Sequence, residues 1–233
     1  MKILAHRGAS GYAPENTRAS ILEALKRGCD GFEIDVQLTK DNKVVIFHDW
    51  SLERLSNKNG FLKNYTLDNL KTLDIGSWFS KEFSGEQIMT LEEILDIIPK
   101  EKLLNIEIKV RHGEINNIEE EVIKILEKYS RINNNLIISS FDHRIVKKVK
   151  EMKPEIQVGI IITAGLLGIE DYISNFDLYS VHCGSEFISQ RNVNILKNNN
   201  IKIYAWTVNT IEEAEILNSF GIDGIITNFP DIF

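Results

Sequence analysis

Residues 31–38 read GFEIDVQL, and up to Val36 this run is apolar except for the two carboxylates Glu33 and Asp35. Such a run is typical of a buried strand in a parallel sheet. Similar runs, rich in Ile, Val and Leu, predict nine strands in all, at residues 2–5, 31–38, 43–47, 103–110, 136–140, 157–162, 177–181, 201–206 and 224–227. Between them, apolar residues at three- and four-residue spacing predict helices over 16–27, 91–98, 117–129, 143–152, 189–198 and 211–220.

The alternation of strand and helix predicts a parallel sheet with helices packed outside it. Nine strand candidates in 233 residues favour an α/β fold, a (β/α)8 TIM barrel, with the run 43–47 left over beyond an Asp41-Asn42 turn. We therefore expect a single barrel domain over residues 1–233, with a long ordered loop or small insertion on its rim at residues 50–90. A doubly wound open sheet is the alternative fold, although no GxGxxG motif follows the first strand.

Composition narrows the choice of partner and compartment. The chain is 43% apolar and 26% charged, which excludes a disordered or fibrous protein, and its formal net charge of −7 disfavours a nucleic-acid or anionic-membrane partner held by a basic field. The N-terminus lacks a signal-peptide pattern, and the longest uncharged stretch, 157–169, is shorter than the roughly 20 residues that span a bilayer. Two cysteines do not make a disulfide framework. The chain is expected to be a cytoplasmic enzyme or domain with no stable membrane anchor.

Polar residues stand at the carboxyl ends of the predicted strands, which share one face of a barrel. Glu33 and Asp35 point to the same side of their strand, and Glu107 and Lys109 repeat this geometry on another. Buried carboxylates need partners. One interpretation is a salt network of these residues with Arg7. The other is a hard divalent cation, Mg²⁺ or Ca²⁺ rather than Zn²⁺, on the three carboxylates.

Two histidines, His6 and His48, also follow predicted strands. Near neutral pH, one imidazole can act as a base and the other as an acid on opposite sides of a reacting phosphorus, and metal ligation is their alternative role. Arg7 and Lys109 can contact phosphate oxygens or neutralise the carboxylates, and both roles can hold at once. Such cations would let an acidic protein bind an anionic substrate.

With these residues, the chain resembles the glycerophosphodiester phosphodiesterase family. The resemblance lies in an ordered set of motifs that runs from residue 3 to 230: HRGA at 6–9, PENT at 14–17, EIDV at 33–36, HD at 48–49, LER at 52–54, GSW at 76–78, FSGE at 83–86, TLEE at 90–93, EIK at 107–109, SSF at 139–141, WTVN at 206–209 and GIIT at 224–227. Each motif is weak alone, and the ordered set is specific.

The resemblance implies a TIM barrel with a small insertion after the second barrel strand. It implies one divalent cation, Mg²⁺ or Ca²⁺, on Glu33, Asp35 and Glu107, catalysis by His6 and His48, and phosphate contacts from Arg7 and Lys109. The implied reaction is hydrolysis of a glycerophosphodiester to sn-glycerol 3-phosphate and an alcohol such as choline or ethanolamine. In it, the substrate's own 2-hydroxyl attacks phosphorus, and water opens the resulting cyclic phosphate. A monomer and a homodimer both remain open.

Secondary residues carry weaker expectations. Trp206 is expected either to pack over the glycerol or leaving group or to fill a barrel layer. His182 is expected to line the mouth or lie on the surface, and Asp49 to orient a neighbour or cap its loop. Glu15 and Asn16 are expected to fix the first loop and cap its helix. The two remaining histidines, His112 and His143, are expected in solvent. The family's usual Thr-Asp-x-Pro is here Thr227-Asn228-Phe229-Pro230, a change that touches neither the metal nor the histidine set.

Two other functions compete with this one. A lysophospholipase D would need an apolar surface at the barrel mouth, and the segment 50–90 does carry aromatic residues, although these are expected to form the segment's own small core. The second competing function is that of a barrel that has lost its activity and serves only in binding. The complete set of three carboxylates and two histidines argues against it.

Overall fold

Eight parallel strands close into a barrel in the computed structural model, which describes residues 1–111 and 116–231. One histidine from the sequence analysis, His112, lies outside the described residues. The strands are β1 (Lys2–His6), β2 (Gly31–Leu38), β3 (Val44–Ile46), β4 (Leu103–Ile108), β5 (Leu136–Ser140), β6 (Gln157–Ile162), β7 (Ser180–Gly184), β8 (Lys202–Trp206) and β9 (Gly224–Thr227). Pairing runs from β1 through β9 down to β4 and β2, and β1 pairs with β2 to close the ring. The predicted TIM barrel is confirmed.

Helices cover the barrel from outside: α1 (Arg18–Lys26), α4 (Leu91–Leu95), α5 (Ile118–Lys128), α6 (His143–Met152), α7 (Ile169–Ile173), α8 (Gln190–Asn198) and α9 (Ile211–Phe220). Their apolar faces share one large core with the outward-facing side chains of the strands, among them Phe32, Ile34 and Val36 of β2. None of the helices in the described ranges has the length and apolar character needed to cross a membrane.

The chain departs from the predicted elements mainly at β7. The pattern predicts this strand at 177–181, whereas it runs over Ser180–Gly184. Residues 177–179 instead join α7 to the strand, and α7 itself escaped prediction because it has only five residues, of which Ile169 and Ile173 are the two that are buried. As a result His182 lies within a strand and is 1% exposed, so of the two positions expected for it, the barrel mouth and the surface, the surface is wrong.

The rim insertion follows the second barrel strand, as expected. Strand β3 pairs antiparallel with β2, and a bridge between Val45 and Thr90 brings the end of the insertion back beside β3. Between them lie α2 (Glu53–Ser56), α3 (Leu67–Leu70) and two 3₁₀ turns, Leu62–Asn64 and Lys81–Phe83.

The core of the insertion is mainly aliphatic, contrary to the expected aromatic one. Its buried members are Val45, Phe47, Leu52, Leu55, Leu62, Leu70, Ile75 and Ile88. Of the aromatics within 50–90, Tyr65 packs against this cluster, whereas Phe61 and Trp78 are 43% and 41% exposed. Leucine side chains at the short helices and isoleucine side chains from the loops fill this small core, and these two rings lie at the surface.

Candidate active site

Three carboxylates meet at the carboxyl ends of β2 and β4. The strand register places Asp35 opposite Glu107, and it places Glu33 opposite His6 on β1. One carboxylate oxygen from each of Glu33, Asp35 and Glu107 lies within 4.8 Å of the other two. All three residues are buried, with at most 8% of their surface exposed. The alternation of side chains along each strand is what gathers them on the barrel interior.

Two cations lie against this cluster. Arg7 Nε is 3.3 Å from Asp35 Oδ2, and Lys109 Nζ is 3.4 Å from Asp35 Oδ1 and 3.0 Å from Glu107 Oε1. Burial alone would raise the pKa of Asp35, but the charges of Arg7 and Lys109 outweigh it and hold that pKa below its ordinary value. Of the salt network considered from the sequence, Asp35, Glu107, Arg7 and Lys109 are therefore joined, whereas Glu33 accepts from the backbone N–H of Arg7 at 3.2 Å.

The network does not neutralise the carboxylates. Three acids face two cations, and one of these, Arg7, also donates to Glu15 Oε1 at 2.9 Å. Burial, and then repulsion from Asp35 and Glu107, raises the pKa of Glu33 well above its ordinary value. Among the described residues nothing donates a hydrogen bond to Asp35 Oδ1. An excess of negative charge and a buried oxygen that accepts no hydrogen bond, although Lys109 Nζ lies 3.4 Å from it, fit a hard cation, and the all-oxygen donor set suits Mg²⁺ or Ca²⁺.

His6 ends β1 and is held by a neutral partner. Its Nδ1 lies 2.7 Å from Asn228 Oδ1, which also accepts from Ser10 Oγ at 2.8 Å. Because a carbonyl oxygen only accepts, Nδ1 carries the proton and Nε2 keeps its lone pair. Nε2 lies 3.9 Å from Glu33 Oε2. Burial, followed by the charge of Arg7, lowers the pKa of His6 to about 4. A neutral imidazole with a free Nε2 is a base.

His48 is held by a charged partner. Its Nδ1 lies 2.7 Å from Asp49 Oδ1, and Arg54 donates to the same carboxylate through Nε at 2.6 Å and Nη2 at 3.0 Å. Burial raises the pKa of Asp49, but the bonds from His48 and Arg54 outweigh it and keep the pKa low. The structure thus gives Asp49 the orienting role that the sequence left open.

Arg54 also connects the residues around His48, in the insertion, with those around Arg7, in the barrel. Its guanidinium donates to both oxygens of Glu15, through Nη1 at 2.8 Å and Nη2 at 2.7 Å, and Glu15 in turn accepts from Arg7. Asn16 donates to Asp35 Oδ2 at 2.9 Å, whereas Thr17 caps α1. The expectation that Asn16 caps the helix is therefore wrong, because its side chain is turned inward to the carboxylates.

These groups surround a cavity of about 200 Å³ at the mouth of the barrel. Its lining divides into a polar half, with His6, Arg7, Glu33, His48, Asn105 and Glu107, and a mostly apolar half, with Phe141, Ile161, His182, Trp206 and Ile226. Trp206 meets Phe141 edge to face, with ring centroids 5.6 Å apart.

The sequence-predicted residues differ in how they meet this cavity. Lys109 is absent from the described lining: it lies behind Asp35 and Glu107, with its Nζ 5.5 Å from the ring of Trp50. His143, expected in solvent, is half-buried, and its Nε2 lies 3.0 Å from the carbonyl of Ile161.

Sequence reasoning missed three residues of the candidate site. Asn228 and Arg54 stood inside recognised motifs. Their partners His6 and Glu15 are distant in the chain, however, and no local sequence pattern predicts these contacts. Asn105 precedes Glu107 by two residues on β4 and therefore faces the same side. That spacing is a signal by which it could have been found.

Known proteins resemble this chain in sequence and in fold. The model of the glycerophosphoryl diester phosphodiesterase family matches residues 6–232. A glycerophosphodiester phosphodiesterase of Caldanaerobacter subterraneus is 40% identical over 230 residues, covering 98% of this chain and 94% of the relative. The structure of an Oleispira antarctica phosphodiesterase in complex with the product sn-glycerol-3-phosphate superposes with a TM-score of 0.93 at 32% identity, covering 99% of this chain and 94% of that one. A Thermotoga maritima glycerophosphodiester phosphodiesterase gives a TM-score of 0.82 at 31% identity, covering 100% and 96%.

Proposed function

The chain belongs to the glycerophosphoryl diester phosphodiesterase family and is an enzyme of that kind, and we propose that it releases sn-glycerol 3-phosphate from diesters such as glycerophosphocholine or glycerophosphoethanolamine by metal-assisted histidine catalysis. One observation carries the proposal. Three buried carboxylates with an excess of negative charge form one cluster, and two of them, Glu33 and Glu107, line the same cavity as two histidines with opposite kinds of partner.

Glu33, Asp35 and Glu107 would hold a single Mg²⁺ or Ca²⁺. When bound, such a cation supplies a Lewis acid that polarises a phosphate oxygen and lowers the pKa of a ligated hydroxyl. Support for this assignment comes from the charge imbalance of the cluster and from Asp35 Oδ1, which accepts no hydrogen bond from a described residue.

The two histidines move protons in both half-reactions. In the first, His6 Nε2 takes the proton of the substrate's 2-hydroxyl as its oxygen bonds to phosphorus, and His48 gives a proton to the alcohol that leaves. In the second, His48 takes a proton from water as the water oxygen attacks the cyclic phosphate. His6 then returns its proton to the 2-oxygen, which restores both side chains.

Arg7 and Lys109 supply positive charge for the phosphate. Arg7 lines the cavity, so its guanidinium is the direct contact. Lys109 acts from behind Asp35 and Glu107 and offsets their charge as the phosphate approaches. Trp206, with Phe141 against it, forms the wall on which the glycerol or the leaving group packs.

The test is an assay of glycerol 3-phosphate release from glycerophosphocholine, with Mg²⁺, with Ca²⁺ and after exhaustive EDTA treatment. We expect EDTA to abolish turnover and one of the two cations to restore it. Binding of the cation is measured separately by calorimetry, with Asp35→Asn and Glu107→Gln expected to weaken it. Full turnover without any cation would refute the metal site. Preferred cleavage of lysophosphatidylcholine in the same panel would favour the lysophospholipase D alternative.

A further inference from the structure

A second, smaller crevice opens beside the catalytic cavity, between the start of the insertion and the segment that follows β4. Its volume of about 30 Å³ is roughly the room of two or three water molecules. Three cationic side chains and two aromatic rings line it: Lys63, Lys109, Arg111, Trp50 and Phe61. No acidic side chain is among its described lining residues. Such a lining, in a chain whose net charge is −7, indicates an anionic ligand.

The crevice borders the cavity along two stretches of the chain. Glu107 lines the cavity, whereas Lys109, two residues further on, lines the crevice, with its Nζ 3.0 Å from Glu107 Oε1. In the same way His48 lines the cavity and Trp50 lines the crevice. Two residues of extended chain span roughly 6–7 Å. A ligand whose phosphate lies in the cavity therefore needs only a short extension to reach the crevice.

The crevice lies on the side of the cavity where His48 is held. Gln37 is among its lining residues, and Gln37 Nε2 donates to the carbonyl oxygens of His48 and Asp49, at 3.2 and 2.8 Å. In the proposed reaction His48 gives a proton to the leaving alcohol, so the oxygen of that alcohol lies against His48 as its bond to phosphorus breaks. The part of the substrate that extends toward the crevice is thus the alcohol, and not the glycerol.

Arg111 is the cation of the crevice that can bind a further anion. Lys109 is already paired with Asp35 and Glu107, whereas in the described part of the chain no carboxylate pairs with Arg111. The guanidinium carbon of Arg111 lies over the Phe61 ring, 5.0 Å from its centre. A guanidinium supported on a ring keeps N–H groups at its edge, and a carboxylate accepts two of these side by side.

The Phe61 ring is held at the crevice by the backbone. The N–H of Leu62 donates to the carbonyl of Trp50 at 3.0 Å, and Phe61 itself pairs with Ser51 in an antiparallel bridge. Phe61 is nevertheless 43% exposed and is not part of the core of the insertion. Support of Arg111 gives this exposed ring a role that packing does not.

The two rings of the crevice do not make a site for choline. A site for a quaternary ammonium group needs open aromatic faces. Here Lys109 Nζ lies over the Trp50 ring, 5.5 Å from its centre, and Arg111 lies over Phe61. The protein's own cations occupy these faces and would repel a second cation.

We propose that the crevice binds a carboxylate carried by the leaving alcohol, with Arg111 as its contact and Phe61 as the residue that positions Arg111. The inference rests on the proposed function and adds a preference to it. Among glycerophosphodiesters, those whose alcohol ends in a carboxylate should be cleaved with the higher kcat/KM. The bonds made and broken at phosphorus are unchanged, because the crevice holds only the far end of the substrate.

The experiment compares two diesters of glycerol 3-phosphate whose alcohols differ only at the far end. One alcohol is γ-hydroxybutyrate, and the other is the diol of the same chain length, so that a carboxylate is set against a neutral hydroxymethyl group. For the unaltered enzyme, kcat/KM is expected to be about fivefold to tenfold higher for the carboxylate. Because the crevice is open to solvent, raising NaCl from about 50 mM to about 500 mM should bring this ratio toward one.

Replacing Arg111 and Phe61 locates the preference. In Arg111→Gln the ratio of the two kcat/KM values is expected to be about one, while kcat/KM for the diol diester stays near that of the unaltered enzyme. Phe61→Leu keeps the cation but removes its support, and should lower the ratio to about twofold. A ratio that survives unchanged in either variant would overturn the assignment of that residue, and Phe61→Leu keeps the test available should Arg111→Gln fail to fold.

Lys58→Gln is the matched control. Lys58 Nζ also lies over an aromatic ring of the insertion, 5.7 Å from the centre of Tyr65, but Lys58 is not among the described residues that line the crevice. Its replacement is expected to leave the ratio unchanged. An equal loss in Lys58→Gln would show that the overall charge of the insertion, and not contact with Arg111, sets the preference.

Failure of this inference is distinct from failure of the proposed function. If the unaltered enzyme cleaves both diesters equally well, or favours the diol, the carboxylate site is overturned and the phosphodiesterase reaction stands. If neither of these diesters nor glycerophosphocholine is cleaved, the proposed function falls and the inference with it.

Discussion

The two histidines of the cavity are supported by different regions of the molecule. His6 belongs to the barrel: it ends β1, and its partner Asn228 directly follows the last strand, β9. His48 belongs to the start of the rim insertion, and its partner Asp49 is bound in turn by Arg54 of α2. The two imidazoles line the same cavity, but one is backed by a neutral carboxamide and the other by a carboxylate.

The difference between these partners separates the chemical roles of two identical side chains. A carboxamide oxygen fixes the tautomer of His6 without adding charge, so burial keeps the ring neutral and ready to accept a proton. An ionised carboxylate stabilises an imidazolium, so His48 is suited to donate a proton. The barrel half supplies the first base of the proposed reaction, and the insertion half supplies the first acid.

Replacing either histidine tests this assignment with the largest expected effect. His6→Ala and His48→Ala should each lower kcat by at least about a hundredfold with glycerophosphocholine as substrate. With p-nitrophenol as the leaving group, the His48 variant should recover most of its rate in the first step, because that alcohol leaves without protonation. The His6 variant should recover little. Release of p-nitrophenol and of glycerol 3-phosphate are followed separately, so that the two steps are resolved.

Two results would reverse or remove the assignment. Recovery of His6→Ala, and not of His48→Ala, with the good leaving group would exchange the acid and the base. Near-normal turnover of either variant on glycerophosphocholine would exclude that histidine from the reaction. His143→Ala is a suitable control, because His143 is half-buried on α6 and does not line the cavity.

Exchanging the neutral partner of His6 for a charged one should lower the rate less than replacing either histidine does. Asn228→Asp places a carboxylate beside His6 Nδ1 and should raise the pKa of that imidazole by about one to three units. Since the base acts only when deprotonated, kcat/KM should then fall as the pH drops through the raised pKa, at a pH where the unaltered enzyme, with the pKa of His6 at about 4, is still fully active. The check is the pH profile of kcat/KM from pH 5 to 9.

The reciprocal variant, Asp49→Asn, removes the carboxylate from the acid. It should lower kcat at neutral pH by about tenfold to a hundredfold without moving the acid limb of the profile upward. An Asn228→Asp profile that matches the unaltered enzyme would show that the neutral partner of His6 has no electrostatic importance.

The same contrast explains what the sequence could and could not predict. The barrel, the carboxylates and both histidines were predicted, because strand periodicity places Glu33 and Asp35 on one side and because strand ends share one face. Asp49, which adjoins His48, was expected to orient a neighbour or cap its loop, but the partners of His6 and Arg54 were not predicted, because they are remote in sequence: Asn228 is 222 residues from His6, and Glu15 is 39 residues from Arg54. Such contacts depend on closure of the barrel and on the path of the insertion, which no local pattern encodes.

His182 shows the other limit of prediction. A shift of strand β7 from 177–181 to Ser180–Gly184 moved this residue from a strand end into the barrel interior. Both versions of the strand satisfy the apolar pattern, and only packing against β6 and β8 sets the register. A small error in a boundary thus became a large error in burial.

Arg54→Gln probes the link between the two halves with a modest expected effect. It removes the cation shared by Asp49 and Glu15, and should lower kcat by about threefold to tenfold, since the Arg54 side chain is 44% exposed and solvent screens part of its charge. KM for glycerophosphocholine should change less than kcat, because Arg54 orients His48 and is not among the residues that line the cavity.

Arg144→Gln is the matched control, since Arg144 pairs with Asp142 on the exposed surface of α6. Equal effects of the two variants on kcat would remove Arg54 from the positioning of His48.

The smallest effect is expected from loosening the insertion at a distance from the cavity. Asp74 accepts hydrogen bonds from the backbone amides of Gly76 and Ser77, at 2.9 and 3.0 Å, and from the hydroxyl of Ser84 at 3.2 Å. The hydroxyl of Ser77, followed by these amides, lowers the pKa of Asp74 below its ordinary value. A carboxylate with a lowered folded-state pKa stabilises the protein above its unfolded pKa of about 4, and this contribution is lost as the pH falls further.

Asp74→Ala should therefore lower the free energy of unfolding by about 1–2 kcal/mol at pH 7, which corresponds to a few degrees in Tm, and kcat should stay near normal. The difference in Tm between variant and unaltered protein should shrink as the pH falls below about 4, because Asp74 of the unfolded chain then takes up a proton while the folded carboxylate, with its lowered pKa, takes one up only at lower pH. Asp68→Ala, at an exposed position on α3 of the same insertion, should change Tm less at pH 7. If the Asp74 difference is as large at pH 3 as at pH 7, its carboxylate charge does not stabilise the turn. If kcat falls with Tm, the His48 half depends on the whole insertion, and the ion pairs of Arg54 do not suffice to hold it in place.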